Sequence, residues 1–303
     1  MIARRTVMKS VAMNAVIGAA LAVASGQSAG AQANPRPKQT RFGPFTEAGD
    51  GTKLFYRDWG DGMPVIFCHP WGLNADIWEY QLTELSERGF RCVAYDRRGH
   101  GRSEDPGHGY DYDTLAADLG AVIEQLDLRN VTLVGYSMGS GEVARYVSRS
   151  GKDRVSRVVL VSSVEPVTTN RVMFDNFVAS LKKDRPAFLA GGLPLFLGKD
   201  SAISPAMSQW VLDQFLVSSP KAAIECARAN ATGDHRPHLG ALTIPTMIIQ
   251  GDKDDINPLE LTGQKLAKAI SGSQLKVYEG APHGIVLTHR DRFTHDLLSF
   301  MQS

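Results

Sequence analysis

Short apolar segments alternate with longer amphipathic segments along the chain from about residue 45 onward. The apolar segments predict strands at residues 53–59, 65–69, 91–95, 131–135, 157–163, 246–250 and 275–279. Most of these segments are continuously apolar, which is typical of parallel strands that are buried on both faces of a sheet.

Between these strands, apolar residues recur every three or four positions, which predicts helices with one buried face. The predicted helices cover residues 76–88, 112–127, 138–149 and 291–302. The alternation of strands and helices indicates the α/β class, in which a mostly parallel central sheet carries helices on both faces.

One interval is too long to be an ordinary connection between strands. About eighty residues separate Ser163 from Thr246, whereas connections in compact domains rarely exceed about fifteen residues. The interval contains amphipathic segments at 171–183 and 206–217 that predict further helices. We therefore expect a helical cap at about residues 165–242, inserted in the sheet domain and forming one wall of an apolar pocket.

The beginning of the chain has the composition of an export signal. Arg4, Arg5 and Lys9 occur without an acidic residue before an apolar run at 11–24. Adjacent arginines before such a run resemble the twin-arginine type of bacterial signal. The run is shorter than the roughly 20 apolar residues that a membrane helix needs, so no stable membrane insertion is expected after cleavage.

A small residue on each side of Gln32 predicts cleavage after Ala33. The chain is thus expected to comprise a signal peptide at 1–33 and one α/β domain at 34–303. The mature protein is expected in the periplasm or outside a bacterial cell. No pattern in the sequence indicates an oligomeric state.

The composition is that of an ordinary globular protein, with 43% hydrophobic and 21% charged residues. Cleavage after Ala33 would remove three basic residues and change the formal net charge from +1 to −2. A chain without a basic excess has no electrostatic attraction for nucleic acid. The three cysteines are an odd number, which argues against a disulfide framework.

The segment Gly135-Tyr136-Ser137-Met138-Gly139 follows a predicted strand and precedes a predicted helix. A sharp turn from strand to helix needs small residues on both sides of the serine, and it exposes the serine oxygen above the sheet. A serine hydroxyl needs an adjacent base to act as a nucleophile. We therefore predict that Ser137 is the nucleophile of a serine hydrolase.

The acid and the base of such a site should follow the serine in the chain, each after a strand. His283 follows the last predicted strand, which makes it the predicted general base. Asp252, Asp254 and Asp255 lie in one turn after the preceding strand, and chemistry alone does not decide which of them orients the histidine.

An oxyanion hole in this topology uses the backbone N–H after the nucleophile and another from a loop after an earlier strand. The first N–H belongs to Met138. In the loop at residues 69–72, Pro70 has no N–H, so Trp71 is the predicted second donor. His69 is interpreted as a structural histidine that holds this loop.

Two further polar segments could suggest ligand binding. The charged, glycine-rich turn at residues 96–103 lacks the lysine spacing of a phosphate-binding loop and is interpreted as a structural turn. The sequence Asp234-His235-x-x-His238 has two histidines at a spacing that suggests a metal site, but the sequence offers no convincing third ligand beside them. Neither a metal nor a cofactor is therefore expected.

The sequence resembles the cofactor-free bacterial haloperoxidase (non-haem chloroperoxidase)/arylesterase group of α/β hydrolases over essentially the whole mature chain. The matching segments are FCHPWGLNADIW (67–78), AYDRRGHGRS (94–103), LVGYSMGSGEVARYVSRSG (133–151), GDHRPHLGALTIPTMIIQGDKDDINP (233–258) and APHG (281–284). The resemblance implies Asp254 as the acid, because the family places its aspartate fourth in G-x-x-D. It also implies Trp71 and Met138 as the oxyanion donors.

Two positions depart from the pattern of that group. The group has the loop sequence H-G-W-P, whereas this chain has His69-Pro70-Trp71-Gly72, with the proline and the glycine exchanged. Asn257 stands where a valine is usual. The group hydrolyses small esters, and many members also form peracids from short carboxylic acids and hydrogen peroxide, which oxidise halides without a metal. The exchange of Pro70 and Gly72 affects this perhydrolase expectation more than the esterase expectation.

The leading hypothesis is hydrolysis of a small-molecule ester with an apolar part, through an acyl-serine intermediate. Lactone or carbon–carbon bond hydrolysis by the same triad is the alternative. Haloalkane and epoxide hydrolases of this fold use an aspartate in place of Ser137, which argues against those activities. A non-enzymatic ligand-binding protein of the same fold is a further alternative, because fold and motif do not determine function.

Overall fold

The computed structural model describes residues 44–151, 153–168 and 170–303. Its strands pair into one sheet. They are Phe45–Glu47 (β1), Lys53–Trp59 (β2), Met63–Cys68 (β3), Phe90–Tyr95 (β4), Val131–Tyr136 (β5), Val155–Val161 (β6), Thr246–Gly251 (β7) and Gln274–Tyr278 (β8). Their order within the described residues is β1-β2-β4-β3-β5-β6-β7-β8. β2 pairs antiparallel with β1 and β4, and β3 to β8 are mutually parallel. The predicted mostly parallel sheet is confirmed.

Helices follow most of the strands. They are Glu79–Glu87 (α1), Tyr112–Gln125 (α2), Met138–Tyr146 (α3), Arg171–Leu197 (α4), Pro205–Val217 (α5), Pro220–Thr232 (α6), Arg236–Leu239 (α7), Gly263–Ala269 (α8), Ile285–Thr288 (α9) and Arg290–Gln302 (α10). The polar residue before α2, Asp111, accepts hydrogen bonds from the N–H groups of Asp113 and Thr114, which caps the helix.

Apolar side chains cover both faces of the sheet. Val65 and Phe67 belong to a buried cluster that includes residues of α1 and α10, whereas Ile66 and Cys68 belong to one that includes residues of α2, α3 and α8. Each fully buried aliphatic or aromatic side chain contributes about 1.5–3 kcal/mol to folding. Burial on both faces explains why the strands read as continuous apolar runs.

The predicted strand at residues 157–163 begins and ends two residues too late in the chain, because β6 covers Val155–Val161. The strand ends there because Ser162 has a positive φ of 40°, which no β-strand residue adopts. This bend turns the chain toward the cap.

Helices α4 to α7 lie between β6 and β7 and form the inserted cap. α4 extends beyond the predicted helix at 171–183, because a kink at Asp184 (φ −158°, ψ 85°) joins two helical halves. Asp184 accepts a hydrogen bond from Ala187 N–H at 3.1 Å and caps the second half. Pro186 fits there because proline is tolerated in the first turn of a helix.

The predicted signal peptide at residues 1–33 lies outside the described residues. Among the helices that the structure does describe, none has the length and apolar character needed to cross a membrane. Cys68, Cys92 and Cys226 are all buried and unpaired. Burial raises the pKa of the Cys92 and Cys226 thiols to about 12, so these side chains remain protonated at neutral pH.

Candidate active site

The turn between β5 and α3 holds Ser137 in an unusual backbone conformation. Its φ is 52° and its ψ is −118°, and a residue in such a region costs on the order of 1–3 kcal/mol. Ser137 N–H donates to Val161 O at 2.8 Å, and Ser137 O accepts from Ser140 N–H at 2.9 Å. These bonds hold the turn between the end of β6 and the first turn of α3.

Two glycines allow the helix to approach the sheet this closely. A Cβ at Gly135 would lie 2.7 Å from Gly139 O, and a Cβ at Gly139 would lie 2.5 Å from Cys68 O. Both distances are too short for a side chain, so the two positions require glycine. The contact between Gly139 and Cys68 also places the loop after β3 beside the start of α3.

Asp254 contacts the predicted base. His283 Nδ1 lies 2.8 Å from Asp254 Oδ2, which also accepts a hydrogen bond from Gln250 Nε2 at 2.8 Å. Asp254 Oδ1 accepts hydrogen bonds from the backbone N–H groups of Ile256 and Asn257, at 3.1 and 2.8 Å. Four donors therefore fix both carboxylate oxygens.

The other two aspartates of this turn have different surroundings. Asp252 accepts a hydrogen bond from Gly280 N–H at 2.7 Å, and Asp255 is exposed. In the described part of the chain, neither has a hydrogen bond to His283. The geometry thus brings together Asp254 and His283, the pair that the family resemblance implies.

The peptide group that follows His283 is held at both its carbonyl and its N–H. Tyr136 Oη donates to His283 O at 2.7 Å, and Gly284 N–H donates to Phe196 O at 2.6 Å. The ring of Phe196 packs edge-on against the His283 ring at 5.6 Å. Because Nδ1 of His283 faces a carboxylate, we assign its proton to Nδ1, and Nε2 keeps a lone pair that can accept a proton.

The Ser137 hydroxyl has a neighbour that the sequence did not predict. Its Oγ lies 3.5 Å from Asn257 Nδ2. Within the described residues, no hydrogen bond joins Oγ to the ring of His283. In resting hydrolases this bond is often long, and it shortens when substrate binds.

Ser137, Asp254 and His283 are all buried. Chemistry at this serine would therefore be shielded from bulk water.

The two predicted oxyanion donors are backbone amides at the edge of this site. Met138 N–H is the first amide of α3, and the first N–H groups of a helix have no intrahelical partner. Trp71 N–H belongs to the loop after β3, which lies beside α3. Within the residues that the structure describes, neither amide donates to a backbone carbonyl. Both can therefore donate to a negatively charged oxygen.

Comparison with known proteins agrees with this architecture. The sequence profile of a family described as "alpha/beta hydrolase fold" matches residues 63–290. The chain belongs to the α/β-hydrolase family.

Individual relatives match most of the chain over nearly their own full length. A non-heme haloperoxidase from Rhodococcus erythropolis is 40% identical over 273 residues, which are 86% of this chain and 100% of that protein. A bifunctional esterase/perhydrolase from Acinetobacter calcoaceticus is 35% identical over 270 residues, 84% of this chain and 98% of that protein. The structure of an esterase from Exiguobacterium antarcticum matches with a TM-score of 0.83 and 36% identity, over 86% of this chain and 100% of that chain. The resemblance inferred from the motifs is confirmed.

In this α/β hydrolase, Arg97 supports the loop that carries Trp71. Arg97 Nη2 donates to His69 O at 2.8 Å, and Nη1 donates to Pro70 O at 3.4 Å. Arg97 Nε also pairs with Glu142 Oε1 at 2.6 Å, and both side chains are buried. Because Glu142 belongs to α3, Arg97 connects the two elements that carry the predicted oxyanion donors.

His69 is a structural histidine, and its contacts define its tautomer. Its Nε2 accepts a hydrogen bond from Arg97 N–H at 2.9 Å, so the ring proton is on Nδ1, which donates to Pro70 O at 2.8 Å. Burial, together with the nearby Arg97 charge, lowers the pKa of His69 well below its usual range. His69 is therefore neutral and fixed at the start of the loop.

Three buried histidines should make the folded protein sensitive to acid. Burial lowers the pKa of His100 to about 3 and that of His235 to about 4, in addition to the lowered pKa of His69. Between the usual histidine pKa of about 6.5 and these values, the unfolded chain binds protons that the folded chain does not. Stability should therefore fall as the pH falls below about 6.5, by about 1.4 kcal/mol per pH unit for each histidine.

Urea unfolding at pH 7, 6 and 5 would measure this dependence. The free energy of unfolding should decrease at each step toward acid. A constant value between pH 7 and 5 would contradict the lowered pKa values of the three histidines.

Gly72 adopts a backbone conformation that proline cannot adopt. Its φ is 74°, whereas proline is fixed near about −65°. A Cβ at this position would also lie 2.7 Å from Phe215 Cδ1. The exchange of Pro70 and Gly72 therefore changes the path of the backbone beside Trp71.

The two histidines of the 234–238 segment have separate partners. The His235 ring packs edge-on against Tyr112 at 4.5 Å, and His238 Nδ1 lies 2.7 Å from Ser148 Oγ. Across the described residues, no group of three or more His, Cys, Asp or Glu side chains could hold a metal ion. This segment packs the end of the cap against α2 and the turn after α3.

Proposed function

We propose that the protein is a serine esterase that hydrolyses small carboxylic esters through an acyl-serine intermediate. The observation that carries this proposal is the 2.8 Å contact of His283 Nδ1 with Asp254 Oδ2, at the same end of the parallel sheet as Ser137. In this proposal, Ser137 is the nucleophile, His283 is the base and Asp254 orients it. The available N–H groups of Trp71 and Met138 support it, as does the similarity to proteins named as esterases.

In the acylation step, Ser137 Oγ attacks the carbonyl carbon while His283 Nε2 accepts the hydroxyl proton. The carbonyl oxygen becomes negatively charged, and the N–H groups of Trp71 and Met138 stabilise it. The bond to the alkoxy group then breaks, and the proton on His283 passes to the departing alcohol. Asp254 stabilises the protonated ring between these two transfers.

In the deacylation step, His283 takes a proton from water as the water oxygen attacks the acyl carbon. The bond between that carbon and Ser137 Oγ breaks, Oγ regains a proton from His283, and the carboxylic acid leaves. Hydrogen peroxide in place of water would give a peracid by the same steps. The relatives named haloperoxidase and esterase/perhydrolase support this side reaction.

Apolar side chains of the cap pack against Trp71. The rings of Phe177 and Phe215 lie 4.9 and 6.0 Å from the Trp71 ring. Trp71 Nε1 donates to Ala223 O of α6 at 2.9 Å, which joins the oxyanion loop to the cap. An apolar wall of this kind favours a substrate with an apolar acyl or alcohol part.

The test is a combined turnover and labelling experiment on the chain from Asn34 onward. We expect hydrolysis of p-nitrophenyl acetate and butyrate, and stoichiometric reaction with a fluorophosphonate. Mass spectrometry should place the label on Ser137. A folded protein that neither hydrolyses these esters nor reacts with the label would overturn the proposal and favour a ligand-binding protein. Faster hydrolysis of lactones than of both esters would favour a lactonase.

Gly72→Ala should lower kcat for p-nitrophenyl butyrate by about 10- to 100-fold. The positive φ and the contact with Phe215 would displace the adjacent Trp71 amide, and loss of a complete oxyanion donor costs about 10²–10³ in rate. Gly107→Ala is the matched control, because Gly107 also has a positive φ (77°) but faces open space. Equal losses in the two variants would contradict a specific effect on the oxyanion loop.

We also propose that the protein is exported and that residues 1–33 are removed. The pattern around Arg4 and Arg5 supports the twin-arginine route. Amino-terminal sequencing of the protein recovered from the envelope of a bacterial host should begin at Asn34. Replacement of Arg4 and Arg5 by lysine should retain the uncleaved chain in the cytoplasm, and unchanged export would contradict the twin-arginine route.

A further inference from the structure

Asn257 lies where the acid turn meets the nucleophile. Its backbone N–H donates to Asp254 Oδ1 at 2.8 Å, and its backbone O accepts from Gln250 Nε2 at 2.9 Å. Its side-chain Nδ2 lies 3.0 Å from Ser162 O and 3.5 Å from Ser137 Oγ. A single residue therefore contacts both the aspartate that orients the base and the atom that attacks the substrate.

The contact with Ser162 determines how the Asn257 amide is oriented. A backbone carbonyl accepts hydrogen bonds and cannot donate, so the atom 3.0 Å from Ser162 O must be the nitrogen. One of its two N–H groups binds Ser162 O, and the other can bind Ser137 Oγ. Ser162 is itself fixed, because its N–H donates to Ile249 O at 2.9 Å. The donor to Oγ is thus anchored on the backbone of the sheet.

We infer that Asn257 Nδ2 donates a hydrogen bond to Ser137 Oγ during the reaction and accelerates deacylation more than acylation. This inference rests on the acyl-serine mechanism of the proposed function. Before acylation, Oγ is a hydroxyl oxygen that already accepts a hydrogen bond well. In the acyl-enzyme, Oγ is the bridging oxygen of an ester and accepts a hydrogen bond poorly.

The hydrogen bond from Asn257 is therefore stronger in the ground state of acylation, where Oγ is a hydroxyl, than in that of deacylation, where Oγ is an ester oxygen. As deacylation proceeds, the carbon–oxygen bond breaks, its electron pair goes to Ser137 Oγ, and Oγ becomes negatively charged until His283 returns the proton. Hydrogen bonds to charged groups are about twice as strong as those between neutral groups. Only the part of an interaction that increases between ground state and transition state accelerates a step. That increase is larger in deacylation.

Stopped-flow hydrolysis of p-nitrophenyl butyrate by Asn257→Val would separate the two steps. The first turnover reports acylation, and the steady state that follows reports deacylation. We expect the deacylation rate constant to fall about tenfold and the acylation rate constant to fall less than about threefold. The initial burst of p-nitrophenol should then approach one equivalent per active site.

Two other variants complete the experiment. Asn257→Ala also lacks the donor and should show the same split, so the test does not depend on the folding of one variant. Asp255→Asn changes an exposed residue of the same turn and should keep the parent kinetics. Thermal unfolding of each variant would show whether the turn remains intact.

Equal decreases in both rate constants, or an unchanged ratio between them, would overturn the inference and leave Asn257 as a support for the acid turn. A parent enzyme that shows no turnover and no fluorophosphonate label would instead overturn the proposed esterase function. A parent that turns over and is labelled, together with an unchanged ratio in the variants, would contradict the role of Asn257 alone.

Discussion

Ser137→Ala should reduce kcat for p-nitrophenyl butyrate by roughly 10⁵- to 10⁶-fold while the protein remains folded. The substitution removes the oxygen that forms the bond to the acyl group, and the residual rate comes from binding and from the N–H groups of Trp71 and Met138. The structural cost is small because, among the described residues, Oγ makes a single hydrogen bond, and that bond to Asn257 is long at 3.5 Å. Steady-state kinetics at high enzyme concentration and the circular dichroism spectrum would measure the two effects.

A comparison with Ser137→Gly tests whether the turn stores strain. The φ of 52° at this position is unfavourable for alanine and serine but not for glycine. After the greater flexibility of glycine in the unfolded chain is taken into account, Ser137→Gly should be about 1 kcal/mol more stable than Ser137→Ala in urea unfolding. Both variants should be inactive. Equal stabilities would argue against strain, and substantial turnover by either variant would exclude Ser137 as the nucleophile.

The buried strands were predictable because burial on both faces leaves a continuous apolar run. The predictions at 91–95 and 131–135 lie within one residue of β4 and β5. β1 was missed because its three residues pair at the sheet edge and bury one side chain. The order of the strands in the sheet depends on contacts between residues far apart in the chain, so no local pattern encodes it.

α6 shows why part of the cap escaped prediction. Its buried face consists of the small residues Ala222, Ala223, Cys226 and Ala227, which do not produce the pattern of large apolar side chains that indicates a helix. Small residues are needed there because the neighbouring backbone is close. A Cβ at Gly99 would lie 2.4 Å from the Ala222 Cβ.

The triad residues could be proposed from motif order, but the residues that hold them could not. Arg97 and Asn257 act through contacts with distant parts of the chain, whereas Gln250 binds Asp254 four positions away through a contact that no motif marks. The partner of Arg97, Glu142, lies 45 positions away, and Ser137 is 120 positions from Asn257. The sequence did show that Asn257 stands where the related group has valine. That difference does not reveal that Asn257 contacts Ser137.

Asp254→Asn should lower kcat by about 10⁴-fold although it changes neither size nor shape. The new amide has one accepting and one donating end. The backbone N–H groups of Ile256 and Asn257 cannot turn away, so the amide oxygen must face them. The NH₂ group then faces His283 and forces Nδ1 to accept a hydrogen bond, which moves the ring proton to Nε2. A protonated Nε2 cannot accept the proton of Ser137.

The loss of activity in this variant should not come from unfolding. Gln250 Nε2 faces Asp254 Oδ2 at 2.8 Å, and its Oε1 is buried without a hydrogen-bond partner among the described residues. Rotation of the Gln250 amide would present Oε1 to the new NH₂ group, at the loss of its bond to Asn257 O. The free energy of unfolding should therefore decrease by about 1 kcal/mol, the usual contribution of one hydrogen bond.

The same substitution at Asp252 and Asp255 distinguishes the acid from its neighbours in the turn. Asp255 is exposed, and Asp252 contacts the Gly280 backbone instead of the histidine ring. Both variants should therefore stay within about threefold of the parent kcat, as exposed substitutions usually do. Parallel measurement of kcat and urea unfolding for the three variants would test this. A large loss of kcat in Asp252→Asn with an active Asp254→Asn would assign the acid to Asp252, because the orienting group is the one whose charge fixes the tautomer of His283.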